Sequence, residues 1–235
     1  MPEPGSPLIQ TKNLCRYFKQ SDTITVKAVD GVSLDIEAGE FTAIIGPSGS
    51  GKTTLLHLIG GLDNPTSGDV FLNGHNIAQL SPSELSTFRR DHIGFVFQSY
   101  NLIPVLSAEE NIEYVMLLQG IDAKLRKQRV TETLAQVGLA DYAERRPNKL
   151  SGGQQQRVAV ARAMASHPDI ILADEPTANL DSKTGIDLLD VMKELNETLG
   201  MTFIFSTHDE KIMRRASRLI HMVDGKIDRD ERRTP

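Results

Sequence analysis

The sequence predicts an α/β fold with a mainly parallel sheet, an antiparallel β part near the N-terminus and an inserted α-helical lobe. Three observations carry that expectation. A buried apolar run, Phe41-Thr42-Ala43-Ile44-Ile45, passes through a glycine-rich segment into helical residues Thr53 to Ile59. After Pro168 the pattern is again strand, helix, strand: Ile170 to Ala173, Leu188 to Leu199 closed by Gly200, and Thr202 to Ser206. Strands that alternate with helices imply parallel pairing, because a parallel connection must cross over the sheet. Between these stretches the signals from Ser81 onward are helical, and residues 98–165 read as a lobe inserted into the α/β core.

Taken in order, residues 1–7 (Met1-Pro2-Glu3-Pro4-Gly5-Ser6-Pro7) read as a Pro-rich tail, residues 8–228 as one domain and residues 229–235 as a second tail. The stretch from Leu8 to Val70 is strand-rich, with Val32-Ser33-Leu34-Asp35-Ile36 alternating apolar and polar. Asn73-Gly74 and Asp224-Gly225 each separate short apolar runs and read as tight hairpin turns. Ser81-Pro82-Ser83-Glu84 joins a capping hydroxyl, a proline at the first helical position and a glutamate three residues after the cap. Ser107-Ala108-Glu109-Glu110 repeats the Ser and Glu arrangement, and the helical periodicity from Leu125 to Val137 stops at Gly138.

Composition narrows the function. At 235 residues and 39% hydrophobic content the chain supports one substantial core. The single cysteine, Cys15, cannot form an internal disulfide, and the first residues lack the basic and apolar regions of a signal peptide, so a cytoplasmic location is expected. No apolar stretch approaches the roughly 18 residues of a membrane span, which leaves any membrane role to a partner. A net charge of −5 argues against a general nucleic-acid surface.

The glycine-rich segment has a specific chemistry. Gly46-Pro47-Ser48-Gly49-Ser50-Gly51-Lys52-Thr53 fits the G-x-x-x-x-G-K-[ST] pattern, with a strand before it and a helix after it. Glycines lack Cβ and accept positive φ, so such a loop wraps closely around a polyphosphate. Backbone N–H groups of the loop and the helix start, where Thr54 follows, point at the anion. Lys52 can reach the β and γ phosphates of a nucleotide, and the Thr53 hydroxyl can ligate Mg²⁺.

A second buried strand, Ile170 to Ala173, runs into Asp174 and Glu175. Ligands of parallel sheets bind beyond the C-terminal strand ends, so both acids face the region where the phosphate loop opens. Asp174 is the expected holder of Mg²⁺ through water, and Glu175 the candidate base or water-orienting group for attack on the γ phosphorus. Further on, Leu150-Ser151-Gly152-Gly153-Gln154 opens a helix running through Arg157 and Val160 to Met164. Ser151 and Gln154 form an S-x-x-Q capping box, a routine helix start. The box has no need of Gly152 and Gly153, which cost about 1 kcal/mol each relative to alanine. Bare N–H groups at a helix start make a second anion site, which suggests that one of the two sites reaches a neighbour's nucleotide.

Leu-Ser-Gly-Gly-Gln followed by Asp-Glu-Pro-Thr-Ala-Asn-Leu-Asp, with the phosphate loop upstream, resembles the ATP-binding-cassette (ABC) ATPases over essentially Leu8 to Lys226. The resemblance implies a phosphate-loop NTPase core that binds ATP and Mg²⁺ and works as a head-to-tail homodimer with a separate integral-membrane permease. It also implies that Ser151, Gly152, Gly153 and Gln154 cap ATP held by the other subunit, with Asn179 to Asp181 at the seam. Gln98, after the strand Ile93 to Phe97, matches the glutamine that senses nucleotide and Mg²⁺; His208, after Phe203 to Thr207, matches the switch histidine at the γ phosphate. The family stacks adenine on an early aromatic residue; Tyr17 and Phe18 are adjacent here, and counting from Lys12-Asn13-Leu14 favours Phe18. The run Phe95 to Pro104 is similar to the lipoprotein-releasing and macrolide-exporter type, so the implied location is peripheral, on the inner face of the cell membrane. In that setting Tyr100, Leu102 and Ile103 are expected to help form a groove for a cytoplasmic helix of the permease. The alternative is a soluble ABC ATPase acting on DNA or ribosomes, which usually carries a coiled coil, a zinc insertion or a second cassette; no such element is read in this sequence.

Overall fold

The computed structural model describes residues 7–21 and 23–233. Strand β3 (Phe41–Ile45) is buried at every position, as a parallel strand covered on both faces requires. Its neighbours are β8 (Phe203–Thr207) and β9 (Arg218–Val223), both parallel to it. Beyond β8 lie β7 (Ile170–Asp174) and β6 (Ile93–Val96), again parallel, while β10 (Lys226–Arg232) closes the other edge antiparallel to β9. The six-stranded order is β10-β9-β3-β8-β7-β6. A separate four-stranded antiparallel sheet joins β1 (Ile9–Lys19), β2 (Thr25–Ile36), β4 (Ser67–Leu72) and β5 (His75–Asn76) in the order β2-β1-β4-β5.

Period-two alternation divides the core between the faces of the main sheet. Phe41, Ala43, Phe203, Phe205, Ile171 and Ala173 face the helices, and the Phe41 and Phe205 rings meet at 4.7 Å. Ile44, Ile204, Ile170 and Leu172 face the antiparallel sheet and α1 (Lys52–Ile59). The remaining helices are α2 (Pro82–His92), α3 (Ala108–Leu118), α4 (Ala123–Gln136), α5 (Gly152–Ala165), α6 (Ser182–Leu199) and α7 (Glu210–Arg215). Helices α2, α3 and α5 each begin with a full capping box, on Ser81, Ser107 and Ser151. Helix α5 bridges the lobe and the core, for a Cβ on Gly94 of β6 would stand 2.4 Å from the Ala163 carbonyl oxygen.

Both hairpins form: β4 and β5 flank Asn73-Gly74, β9 and β10 flank Asp224-Gly225, and all four turn residues have positive φ. Two expectations are corrected. Helix α6 starts at Ser182, six residues before Leu188, because the Asp181 carboxylate accepts the Lys183 and Thr184 N–H groups and fixes its first turn. Residues 229–232 are strand and not tail. They pair along β9, and Arg218, almost fully buried, bonds Asp230 on one side and Glu40 on the other. The proposed tail over residues 1–7 lies, Pro7 apart, outside the described residues.

Candidate nucleotide site

The loop between β3 and α1 is built by steric necessity. A Cβ on Gly46 would lie 2.2 Å from the Met222 carbonyl oxygen, and one on Gly51 2.0 Å from that of Ala28. Gly49 and Gly51 also hold φ of 79° and 101°, conformations that glycine adopts without a Cβ penalty. Lys52 is nearly buried, and its ammonium donates to the Gly46 and Pro47 carbonyls at 2.9 and 3.0 Å. The loop thus curls around its own cation.

The strand ends bring the remaining groups to this loop. Thr53 Oγ1 donates to Asp174 Oδ1 at 3.0 Å, so the helix start and the end of β7 share a proton-ordered pair of hard oxygens. One residue on, Glu175 has φ of 45°, which turns its side chain toward the end of β8. There His208 Nδ1 lies 2.7 Å from Glu175 Oε1, and Thr207 Oγ1 donates to Oε2 at 3.3 Å. Gln98 exchanges hydrogen bonds with Asn179, its Nε2 donating at 3.4 Å and its carbonyl accepting at 3.0 Å. Gly46, Pro47, Ser48, Gly49, Gly51, Lys52, Thr53, Thr54, Gln98, Glu175 and His208 line one cavity of about 550 Å³; Ser50 packs beneath it, fully buried.

Ala178 and, from β2, Val26 and Ala28 complete the wall, the latter two a contribution that β2's own sequence does not signal. Phe18 pairs directly with Val26 across the two strands, so both side chains share the cavity's face. Phe18 itself stands outside the lining, half exposed under the Arg16 guanidinium. Tyr17 points the other way, its hydroxyl donating to Asp30 at 2.5 Å; this bond raises the phenol pKa and lowers that of the carboxylate.

Ser151, Gly152, Gly153 and Gln154 do not join this cavity. Their capping box is complete, with Ser151 Oγ accepting from the Gln154 N–H and Gln154 Oε1 from that of Ser151. Packing explains one glycine that capping leaves unexplained: a Cβ on Gly153 would stand 2.1 Å from the Thr184 methyl of α6. At Gly152 the nearest obstacle is the movable Tyr100 hydroxyl at 2.9 Å. Thr207 and Gln156, both fully buried beside the site, carry no spacing signal that sequence reasoning could use.

A glycine loop cradling a lysine, a Thr–Asp pair and a Glu–His pair across one cavity define a nucleotide-hydrolysing phosphate-loop protein. The chain belongs to the ABC transporter family, whose model matches residues 29–178, and it is an ATP-binding, ATP-hydrolysing cassette of that family. It is 48% identical over 221 residues to the macrolide export ATP-binding/permease protein MacB of Hyphomonas neptunium, covering 94% of this chain and 34% of that protein. The chain thus spans about a third of the MacB relatives' length. It is 45% identical over 229 residues to the ABC transporter ATP-binding protein MJ0796 of Methanocaldococcus jannaschii, covering 96% of this chain and 97% of that one. A dimeric structure of MJ0796 in a post-hydrolysis state with ADP and Pi superposes with a TM-score of 0.88 at 44% identity, covering 97% of this chain and 99% of that one. These relatives do not favour action on DNA or ribosomes. Among the described residues no helix is long and apolar enough to cross a membrane.

Proposed function

We propose that the chain powers a separate integral-membrane permease as a head-to-tail dimer, peripheral on the inner face of the membrane. The observation that carries this reading is the separation of the two halves of a site: the phosphate loop, Gln98, Glu175 and His208 share one cavity, with Asp174 bonded to Thr53 of that loop, whereas Ser151 to Gln154 lie outside it. A second copy supplies what one copy lacks. Lys52 releases the loop carbonyls to meet the β and γ phosphates, and Phe18 takes the adenine, since Tyr17 is held by Asp30. Thr53 and Asp174 are the hard oxygen donors suited to Mg²⁺, with Gln98 within the same cavity, and Mg²⁺ neutralises charge on the transferred phosphoryl group. Glu175 orients and deprotonates the attacking water, while His208 holds that carboxylate and faces the γ phosphate.

The loop after Gln98 is the proposed contact with the permease, of the export, lipoprotein-release or mechanotransmission type. Its backbone is locked: Arg162 donates to the Tyr100 and Asn101 carbonyls, and buried Asn111 bonds Ile103 through both N–H and carbonyl. Leu102 packs against the core, so Ile103 and exposed Val105 are the better probes of the surface. Two experiments test the proposal. Mixing Gly152→Asp and Lys52→Ala subunits should restore part of the ATPase activity, because one composite site is then free of both lesions; full activity in the Gly152→Asp homodimer would contradict the shared site. Recovery of a membrane protein from detergent extracts, lost on Val105→Glu in a folded protein, supports the permease; recovery of ribosomes or DNA instead would overturn it.

A further inference from the structure

Gln156, in the second turn of α5, is fully buried, although neither the capping box nor the nucleotide cavity uses it. Its Nε2 donates to the Pro176 carbonyl at 2.8 Å and to the Phe97 carbonyl at 3.2 Å. Pro176 directly follows Glu175, and Phe97 directly precedes Gln98. One amide therefore fastens the helix headed by Ser151 to both strand ends that carry site residues. Its Oε1 is buried without a hydrogen-bond partner among the described residues, a cost that an apolar side chain would avoid. Six residues along the same helix, Arg162 takes the Tyr100 and Asn101 carbonyls, so α5 holds the chain on both sides of Gln98.

We infer that Gln156 is a positioning residue that couples the two halves of the dimeric site within one chain. When the neighbour's nucleotide docks on Ser151 to Gln154, α5 moves as a rigid rod, and Gln156 carries that displacement to Gln98 and Glu175 of its own subunit. The inference rests on the proposed head-to-tail dimer and adds a physical link through which occupancy of one site readies the other.

Asn196 supplies an internal control. It is also buried and also donates from one amide to two carbonyls, those of Gly39 and Met201, on the side of the sheet away from the phosphate loop. Gln156→Met and Asn196→Leu therefore remove matching pairs of donated bonds, one pair at the site and one remote from it, and Asn196→Leu also removes the bond that Asn196 Oδ1 accepts from Lys193. In a Glu175→Gln background, Mg-ATP should drive dimer formation by the parent; a parent that stays monomeric overturns the dimer reading and the coupling with it. Given a parent dimer, Gln156→Met should bind a fluorescent ATP analogue as the monomer within about twofold of the parent, yet need at least tenfold more protein to dimerise. With Glu175 restored, its kcat should fall at least about tenfold, against less than twofold for Asn196→Leu. If Gln156→Met matches Asn196→Leu in both dimerisation and kcat, Gln156 is merely structural. Should Gln156→Met fail to fold, the side-chain amide NMR signal of Gln156 in the Glu175→Gln protein decides: a shift on adding Mg-ATP supports coupling, and no shift overturns it.

Discussion

Thr207→Val removes one hydroxyl from the site and leaves the shape nearly unchanged. Thr207 is fully buried, and its Oγ1 donates to Glu175 Oε2 at 3.3 Å while accepting the Asp209 N–H at 2.9 Å. Hydrogen bonds to charged groups contribute about 1.5–3 kcal/mol, and this long one belongs at the lower end. If the bond fixes the Glu175 carboxylate in its working rotamer, its loss raises the barrier by about 1.4 kcal/mol, or about tenfold in kcat. The Asp209 N–H loses its acceptor at the same time, at about 1–2 kcal/mol of stability, which lowers Tm by about 2–8 °C in a chain of this size. Steady-state ATPase against ATP concentration, with Mg²⁺ in excess, separates the effects: kcat should fall while KM stays within about twofold, since Thr207 does not line the phosphate loop. Thr207→Ser keeps the hydroxyl and should recover most of the rate. A folded valine variant with wild-type kcat, or a serine variant as slow as valine, would refute the positioning argument.

Gly153→Ala should destabilise the fold by about 1–3 kcal/mol through overpacking, because its methyl would meet Thr184; Thr184→Ser, which removes that methyl and keeps the hydroxyl bonded to Asp181, should restore much of the loss in chemical denaturation. Arg218→Met should lower stability by about 1–3 kcal/mol at neutral pH, the figure reduced because Asp230 is 37% exposed. The Arg218 guanidinium holds the Asp230 carboxyl below its ordinary range, so this stabilisation is present above about pH 4 and is lost as pH falls through the depressed pKa. Denaturation midpoints measured from pH 7 downward should therefore draw closer for the wild type and Arg218→Met as Asp230 becomes protonated.

Much of the site was legible because its chemistry is local in sequence. The phosphate loop declares itself through glycines beside a lysine and a threonine, and the capping boxes on Ser81, Ser107 and Ser151 each lie within four residues. What stayed hidden depends on contacts across the fold. The start of α6 is hidden because Asp181 caps a first turn whose apolar periodicity is weak, and residues 229–232 of β10 resemble a tail because the sequence from Asp228 to Arg233 is charged throughout. Arg218 gives that strand its reason, from a position ten residues upstream of Asp228. Gly153 has a packing reason as well, for a Cβ there would meet Thr184, 31 residues away in sequence. Thr207 and Gln156 act on Glu175, Pro176 and Phe97 through tertiary contacts that no local pattern encodes.

In the proposed mechanism Glu175, held by His208 and Thr207, drives hydrolysis in a site completed by a second subunit. Glu175→Gln keeps the side chain's size and its place beside His208 and removes its capacity to take a proton. ATP hydrolysis and molecular mass by size exclusion with light scattering, both in Mg-ATP, test the chemistry and the assembly in one sample. Nucleotide binding should persist, turnover should fall by about 10²–10⁴-fold, and the protein should elute as a dimer that reverts to monomer when nucleotide is removed. Turnover at the wild-type rate, or tight ATP binding by a variant that remains monomeric at every protein concentration, would contradict it.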